Sequence, residues 1–405
     1  MTNPLDQKHI LLGITGSIAA YKGAELASKL TQAGASVHVL LTQSAEKFVS
    51  PLTFQSLTGN KCFTDADLWG GEGHIVHVQL GRQSDLLLIA PASANTMAKL
   101  AYGIADNLVC ITALAARCPL VIAPAMDAGM YSHPATQDNV KILKERGVTF
   151  IGPIEGHLAS GLEGLGRMVD PLDILNQVRW MLAQGGLLTG KKILVTAGGT
   201  QEPIDPVRVI GNHSSGKQGY AIAQCALDLG AAVTLITTPT SLPMPFGAQV
   251  VPVHTAKEMH QAVMDNLAEA NTLIMAAAVA DFRPVKQEDQ KIKKEKGLNE
   301  ITLEPTTDIL LEVSRKKEKI NPSLRVIGFA AESQDFLSNA KKKMDSKHLD
   351  MIVVNDITSP QAGFGVDTNQ VTLLFADGSA EELPLMTKSD VAEKIIQKLI
   401  SWPID

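Results

Sequence analysis

Twice along this 405-residue chain the same succession appears: an apolar run, a glycine turn, an Ala-rich amphipathic stretch, a glycine, and a second apolar run. The first copy passes from KHILLGITGSIAAYKGAEL into LTQAGASVHVLLT at 30–42. The second begins at Gly190 as GKKILVTAGGT and ends in ALDLGAAVTLITT at 226–238. Strand, turn, helix stopped by glycine, and strand again is the repeating unit of a parallel sheet. Two such beginnings predict two α/β domains, at 1–185 and 190–405, each a doubly wound, mainly parallel sheet. The connector, Gln184 to Gly190, is short and glycine-rich. The copies differ in a long polar excursion at 200–218, which only the second carries.

A hydrophobic fraction of 45% is enough for two cores. The net charge of −6, with no basic block interleaved with aromatics, argues against nucleic acid as a partner. No apolar run reaches the roughly 18–20 residues that span a membrane. MTNPLDQKH lacks the apolar core of a signal peptide, so a cytoplasmic setting is expected. The four cysteines, Cys62, Cys110, Cys118 and Cys225, form no CxxC pair and read as free thiols in a reducing compartment.

In the first domain, Ile10 to Ile14 reads as a buried strand, followed by a turn through Gly16 and Ser17 and a helix from Ile18. Backbone N–H groups at such a helix start favour a phosphate. GxGxxG is absent, and the second strand, Val37 to Leu41, ends in Thr42-Gln43-Ser44 with no acid for a ribose diol. Hydroxyls at Ser17, Thr42 and Ser44 suit a mononucleotide phosphate; ordinary βα turns are the alternative. A strand from Asp85 to Ala90 ends in a run carrying Ser93 and Asn95, and one from Leu120 to Ala123 ends in a run carrying Met126, Asp127 and Met130. Strand ends of small, hydroxyl and methionine residues are a pocket candidate for a flat ring, though methionines also fill cores. His74 and His77 are candidate bases, and a structural role for either is the alternative.

HVQLGRQSDLLLIAPASANT, PAMDAGMYSHPATQDN and LASGLEGLGRM resemble the flavin-dependent phosphopantothenoylcysteine decarboxylases. The resemblance implies a flavodoxin-like domain that binds FMN, through Gly16, Ser17, Thr42, Ser44, Ser93, Asn95 and Met126. His77, eight residues before Asp85 as in that family's motif, becomes the base or proton shuttle. Two departures stand out. Asp127 replaces an asparagine that holds the substrate carboxylate through a neutral N–H donor. Ser160 replaces a cysteine in a flexible flap, and a hydroxyl is a far weaker acid than a thiol.

In the second domain the excursion carries Asp205, Arg208, Asn212, Ser214, Ser215 and Lys217. The first glycine of GxxxxGK is misplaced there, so a P-loop is excluded, yet a polar loop feeding a helix at Gln218 suits phosphates or an acyl phosphate. A strand from Leu273 to Ala278 leads to Asp281, which is placed to hold Mg²⁺ on a triphosphate. A lysine run at 286–296 follows, readable as a solvated loop or as a mobile cation source for phosphates. TAGGTQEPIDPVRVIGNHSSGKQG, AAAVADFRP, KIKK, GFAAES and VVNDI, in that order, resemble the bacterial CTP-using phosphopantothenate–cysteine ligases. This resemblance implies a Rossmann-like domain in which Asn212 and Arg208 handle an acyl-cytidylate. Asp281 with Mg²⁺, together with Lys291, Lys343 and Lys347, would hold the triphosphate. Met275, Ala276, Ala277, Thr307, Asp308, Ile309, Leu310 and Phe329 would line the CTP site, with Lys291 ten residues after Asp281 as in that family.

Together the two resemblances imply consecutive steps of coenzyme A synthesis on the small molecules 4′-phosphopantothenate, cysteine and CTP, in a symmetric homo-oligomer, a dodecamer by resemblance. The alternative is a flavin-dependent decarboxylase or prenyl-transfer flavoprotein with a non-catalytic second domain.

Overall fold

A computed structural model describes residues 3–68, 76–293, 300–332, 336–356 and 365–402. His74, Lys294 and Lys296 lie outside the described residues. The chain forms two compact units, Asn3–Leu182 and Ala183–Asp405. The connector belongs to the second unit because its backbone is paired there: Leu188 N donates to Leu229 O at 2.8 Å.

The N-terminal unit carries strands β1 (His9–Ile14), β2 (Ser36–Leu41), β3 (Cys62–Thr64), β4 (Leu86–Ala92), β5 (Leu120–Pro124) and β6 (Thr149–Phe150) in the order β3-β2-β1-β4-β5-β6. All neighbours run parallel. Helices α1 (Ala20–Gln32), α2 (Pro51–Thr58), α3 (Val76–Gln83), α4 (Ala94–Tyr102), α5 (Leu108–Ala115), α6 (Ala128–Ser132), α7 (Pro134–Glu145) and α8 (Pro171–Ala183) complete it, with a hairpin of β7 (Ile154–His157) and β8 (Glu163–Arg167). β1 is buried from Ile10 to Ile14, on both faces, as a central parallel strand requires. α1 buries one stripe, Ala20, Gly23, Leu26, Ala27 and Leu30, against the sheet.

In the C-terminal unit β9 (Lys192–Ala197) takes the place of β1. With β10 (Gln201–Pro203), β11 (Val209–Gly211), β12 (Ala232–Thr237), β13 (Gln249–Pro252), β14 (Thr272–Met275), β15 (Phe282–Pro284), β16 (Leu303–Pro305), β17 (Arg325–Glu332), β18 (Met351–Asp356), β19 (Thr368–Asn369), β20 (Val371–Phe375), β21 (Ala380–Glu382) and β22 (Met386–Thr387) it builds one large sheet and three small antiparallel pairs. The large sheet runs β13-β12-β9-β14-β17-β18-β20-β21, parallel through β18 and antiparallel beyond. The helices are α9 (Lys217–Asp228), α10 (Ala256–Asn266), α11 (Ile309–Ile320), α12 (Phe336–Lys347) and α13 (Lys388–Ser401). Both first helices approach their sheet through a glycine. A Cβ at Gly23 would lie 2.5 Å from Ile14 Cδ1, and one at Gly219 would lie 2.6 Å from Ala197 Cβ.

Two expectations needed revision. The strand expected to reach Ala278 ends at Met275, because its last full partner on β9 is Thr196; a single bridge, Gly199 to Ala278, continues the line. The excursion at 200–218 is not one open loop, since its first part folds back on itself, with Gln201–Pro203 pairing antiparallel with Val209–Gly211 as β10 and β11. Among the described residues no helix is long and apolar enough to cross a membrane.

Candidate active sites

In both units the strand order reverses beside the first strand, between β1 and β4 and between β9 and β14, which is where open α/β sheets admit ligands. At the first reversal Thr15 Oγ1 donates to Pro91 O at 2.8 Å and accepts from Ser93 N at 2.9 Å, stitching the ends of β1 and β4 together. Ser93 caps α4 by accepting from Thr96 N, and Asn95 follows in its first turn. Gly16 lies against Ser44: a Cβ there would stand 2.5 Å from Ser44 Cβ. Thr42 Oγ1 accepts from Ala45 N at 3.3 Å. Gly16, Ser17, Thr42, Ser44, Ser93 and Asn95 thus follow the ends of three adjacent strands.

A cavity of about 510 Å³ has Ser17, Met126, Asp127 and Ser160 in its wall, with Lys22 and Arg167. Asp127 caps the short α6: Oδ1 accepts from Gly129 N at 2.9 Å, and Oδ2 accepts from the Ser160 hydroxyl at 2.7 Å. The Ser160 hydroxyl and the Gly129 N–H hold the Asp127 carboxyl below the usual carboxylate range. The hairpin bearing Ser160 is fastened at its base. Met126 N donates to Gly166 O at 3.0 Å, and a side chain at position 166 would collide with the Met126 carbonyl. His77, in the first turn of α3, does not line this cavity. Its Nδ1 is buried and finds no partner among the described residues, a costly arrangement that a bound polar atom would relieve.

At the second reversal two cavities share Ala277, Val279, Asp281 and Phe329. The larger, about 450 Å³, is bounded by 212–219 and by Asn355 and Lys388, and also holds Ala276. The smaller, about 220 Å³, brings together Met275, Thr307, Asp308, Ile309, Leu310, Lys343 and Lys347. Hydrogen bonds fix the common wall: Ala278 N donates to Gly198 O at 2.8 Å, Ala280 N to Thr200 Oγ1 at 2.9 Å, and Asn212 Nδ2 to Val279 O at 3.0 Å. Lys347 Nζ lies 2.8 Å from Asp308 Oδ2.

Arg208 and Lys291 line neither cavity. Lys291 lines a third depression, and Arg208 lies behind its wall, donating to Ile292 O beside Asp205, which is 1% exposed. Burial pushes the Asp205 carboxyl up, but the N–H groups of Val207, Ile292 and Arg208, with the Arg208 charge, outweigh it and hold the group below its ordinary range.

Sequence reading passed over three cations in these walls. Burial, then the Arg167 charge, lowers the Lys22 pKa against the pull of Asp170 and Glu25. Lys388 is 7% exposed; burial and then Lys217 lower its pKa while Asp367 raises it. A signal for the last was present. Lys217 and Lys388 each open a helix, the end where the macrodipole disfavours a cation. Each ammonium is met by the 365–367 segment: Lys217 Nζ lies 2.7 Å from Asp367 Oδ1, and Lys388 Nζ donates to Val366 O at 2.6 Å. The thiols are quiet by contrast: burial, then Asp67 and Glu46, pushes Cys62 up to about 12.

The flavoprotein family profile matches residues 1–182, and that of the DNA/pantothenate metabolism flavoprotein C-terminal domain matches 188–402. The coenzyme A biosynthesis bifunctional protein CoaBC of Bacillus subtilis (strain 168) is 45% identical over 399 residues, 98% of this chain and 97% of that protein. A cysteine/cysteine sulfinic acid decarboxylase of an unknown prokaryotic organism is 44% identical over 359 residues, 87% of this chain and 99% of that protein. Among solved structures, the C-terminal domain of a coenzyme A biosynthesis bifunctional protein CoaBC covers 53% of this chain and 97% of its own at 39% identity, with a TM-score of 0.46. With both halves matched in order and near-identical length in the Bacillus protein, the chain belongs to the family of bifunctional coenzyme A biosynthesis enzymes, which join a flavoprotein decarboxylase domain to a ligase domain.

Proposed function

We propose that the C-terminal unit joins cysteine to 4′-phosphopantothenate through an acyl-cytidylate made from CTP, and that the N-terminal unit decarboxylates the product to 4′-phosphopantetheine with FMN. The observation that carries this reading is the shared wall at Asp281: a small cavity for the nucleotide and a larger one for the acid meet at the carboxylate that would carry the metal. Mg²⁺ binds through one or two carboxylates plus phosphates and water, so a single Asp281 suits a metal arriving with the triphosphate. Among the described residues no group of three or more His, Cys, Asp and Glu is arranged to hold a metal alone.

In this reading the pantothenate carboxylate attacks the α-phosphorus of CTP and pyrophosphate leaves. Lys343 and Lys347 neutralise the leaving charge at the nucleotide cavity, and Lys291 would reach that charge with its side chain from the neighbouring depression. Asn212, held by Val279 O, orients the acyl-cytidylate, and Arg208, bound to Asp205 and Ile292 O outside both cavities, would reach it from there. The amine of cysteine then opens the anhydride and CMP departs.

The cradle at Gly16 and Ser44 and the hydroxyls after β1, β2 and β4 fit a flavin mononucleotide. Bound FMN supplies reversible two-electron oxidation of the cysteinyl carbon–sulfur unit, which makes loss of CO₂ possible. His77 Nδ1 offers a place to hold a proton, Met126 walls the cavity, and Lys22 and Arg167 offer cations to the anionic substrate. A homo-oligomeric state and a cytoplasmic setting accord with this role.

The Asp127 carboxylate favours a second reading of the decarboxylase substrate. An ionised group here repels a carboxylate and suits an ammonium, as free cysteine carries and the acylated substrate does not; the relative named as a cysteine decarboxylase agrees with it. Purified protein supplied with FMN, CTP, Mg²⁺, phosphopantothenate and cysteine should release CMP and CO₂ in equal amounts. CO₂ from cysteine without CTP would favour the second reading, and absence of CMP would remove the ligase assignment.

A further inference from the structure

Asp205 follows β10 at the start of the excursion, and its two oxygens do different work. Oδ1 accepts from Val207 N at 2.8 Å and Arg208 N at 2.9 Å, which closes a local turn. Oδ2 reaches across the fold. It accepts from Arg208 Nη1 at 2.9 Å and from Ile292 N at 3.2 Å, 87 residues along the chain. The Arg208 guanidinium also donates to Ile292 O from both Nη1 and Nη2, each at 3.3 Å. Carboxylate, guanidinium and the backbone N–H and C=O of one residue therefore close a ring around Ile292. Glu288 N adds a tie by donating to Ile204 O at 2.9 Å. Lys291, exposed, precedes the clamped peptide.

We infer that Asp205 is a positioning residue of the ligase site: through Oδ2 it locks Arg208 and the Lys291–Ile292 backbone into one unit, so that the lysine is presented in a fixed place. The inference rests on the reading that Lys291 acts on the triphosphate. Its physical basis is geometric. A lysine carries four rotatable bonds, and a loop anchored at the next peptide confines where its ammonium can go. A buried carboxylate that accepts four donors does not let go readily, because each donor would lose a charge-assisted bond.

Asp205→Asn separates the two functions of the side chain. With its amide oxygen in the Oδ1 position the local turn keeps both N–H donors, while the NH₂ faces Arg208 Nη1 and Ile292 N, donor against donor. Ile292→Pro tests the same bond from the other side by deleting the N–H and leaving Asp205 untouched. In the full-length protein each variant should slow pyrophosphate release about 100-fold, the scale of an ångström-level misplacement of a reacting group. The Kd for CTP should stay within about threefold, since the nucleotide cavity lies elsewhere. Tryptic cleavage after Lys291 should accelerate in Asp205→Asn, the variant that keeps a cleavable Lys–Ile bond, while decarboxylation of supplied phosphopantothenoylcysteine stays at the wild-type rate in both. Adding Lys291→Gln to Asp205→Asn should cause no loss beyond that of Lys291→Gln alone.

Pyrophosphate release within about twofold of wild type in Asp205→Asn and Ile292→Pro, with Lys291→Gln inactive, overturns the positioning role alone. Full ligation by Lys291→Gln overturns the Lys291 reading and this inference with it. Equal losses in CTP binding and turnover, with unchanged tryptic cleavage, assign Asp205 a purely structural role and overturn the inference as well.

Discussion

Asp127 and Asp205 have the same layout in different surroundings. Each closes a local turn with Oδ1 and uses Oδ2 to hold a distant segment, the Ser160 hairpin tip in one unit and the Ile292 loop in the other. Asp127 is open to water and holds one neutral hydroxyl. Asp205 is sealed and holds a guanidinium and an amide. In water an exposed contact of this kind competes with solvent and contributes little, whereas a sealed, charge-assisted one resists breaking. The same side chain therefore makes a reversible rest for a flap in the decarboxylase unit and a fixed clamp in the ligase unit.

The largest effect that tests this contrast concerns the clamped loop. Lys291→Gln should lower CMP formation by about 10³-fold while decarboxylation of supplied phosphopantothenoylcysteine continues, because loss of a group acting on transition-state charge has that magnitude. Joint loss of both activities would mean that the units do not work separately. The roughly 100-fold effect of Asp205→Asn comes next. At the open site the changes are smaller. Asp127→Asn should lower the KM for phosphopantothenoylcysteine by roughly threefold, the scale of one exposed charge contact. A rise in that KM, paired with weaker use of free cysteine, would transfer the site to an ammonium-bearing substrate.

The smallest effect is a titration. The folded-state pKa of Asp127 lies below the ordinary value, so its contact with Ser160 is present above the ordinary carboxylate range and is lost as pH falls through the depressed pKa. Ser160→Ala removes the first cause of that depression. Carboxyl NMR should then show Asp127 titrating at higher pH, nearer an ordinary aspartate. An unchanged titration would mean that the hydroxyl does not rest on it in solution.

How much of this was legible in the sequence follows from distance along the chain. The doubled strand–turn–helix plan, Gly16 with Ser17, and the strand ends before Asn95 and Met126 are local patterns, and the sheet carries them at the edges expected; Asp281 follows a strand that stops earlier, at Met275. Lys22 was not legible. It reads as one more polar position of an amphipathic helix, and only the fold brings its Nζ to Met168 O, 146 residues away. Asp205 was noted as one polar residue among several, because nothing in 200–218 announces a partner at 292. The β10–β11 pair escaped for another reason: three-residue strands broken by Pro203 leave no alternating pattern to detect. Departures were the most informative local signals. Asp127 and Ser160, each out of place against the family pattern, turn out to touch.

The seating of Gly166 on the Met126 carbonyl has a consequence for how this enzyme can be altered. With Gly166 at its root seated on main chain, the hairpin's tip is a replaceable fitting on a fixed handle. Exchanging Ser160 for a thiol-bearing residue would change what the tip does without moving where it hangs, so reactivity and aim can be varied one at a time.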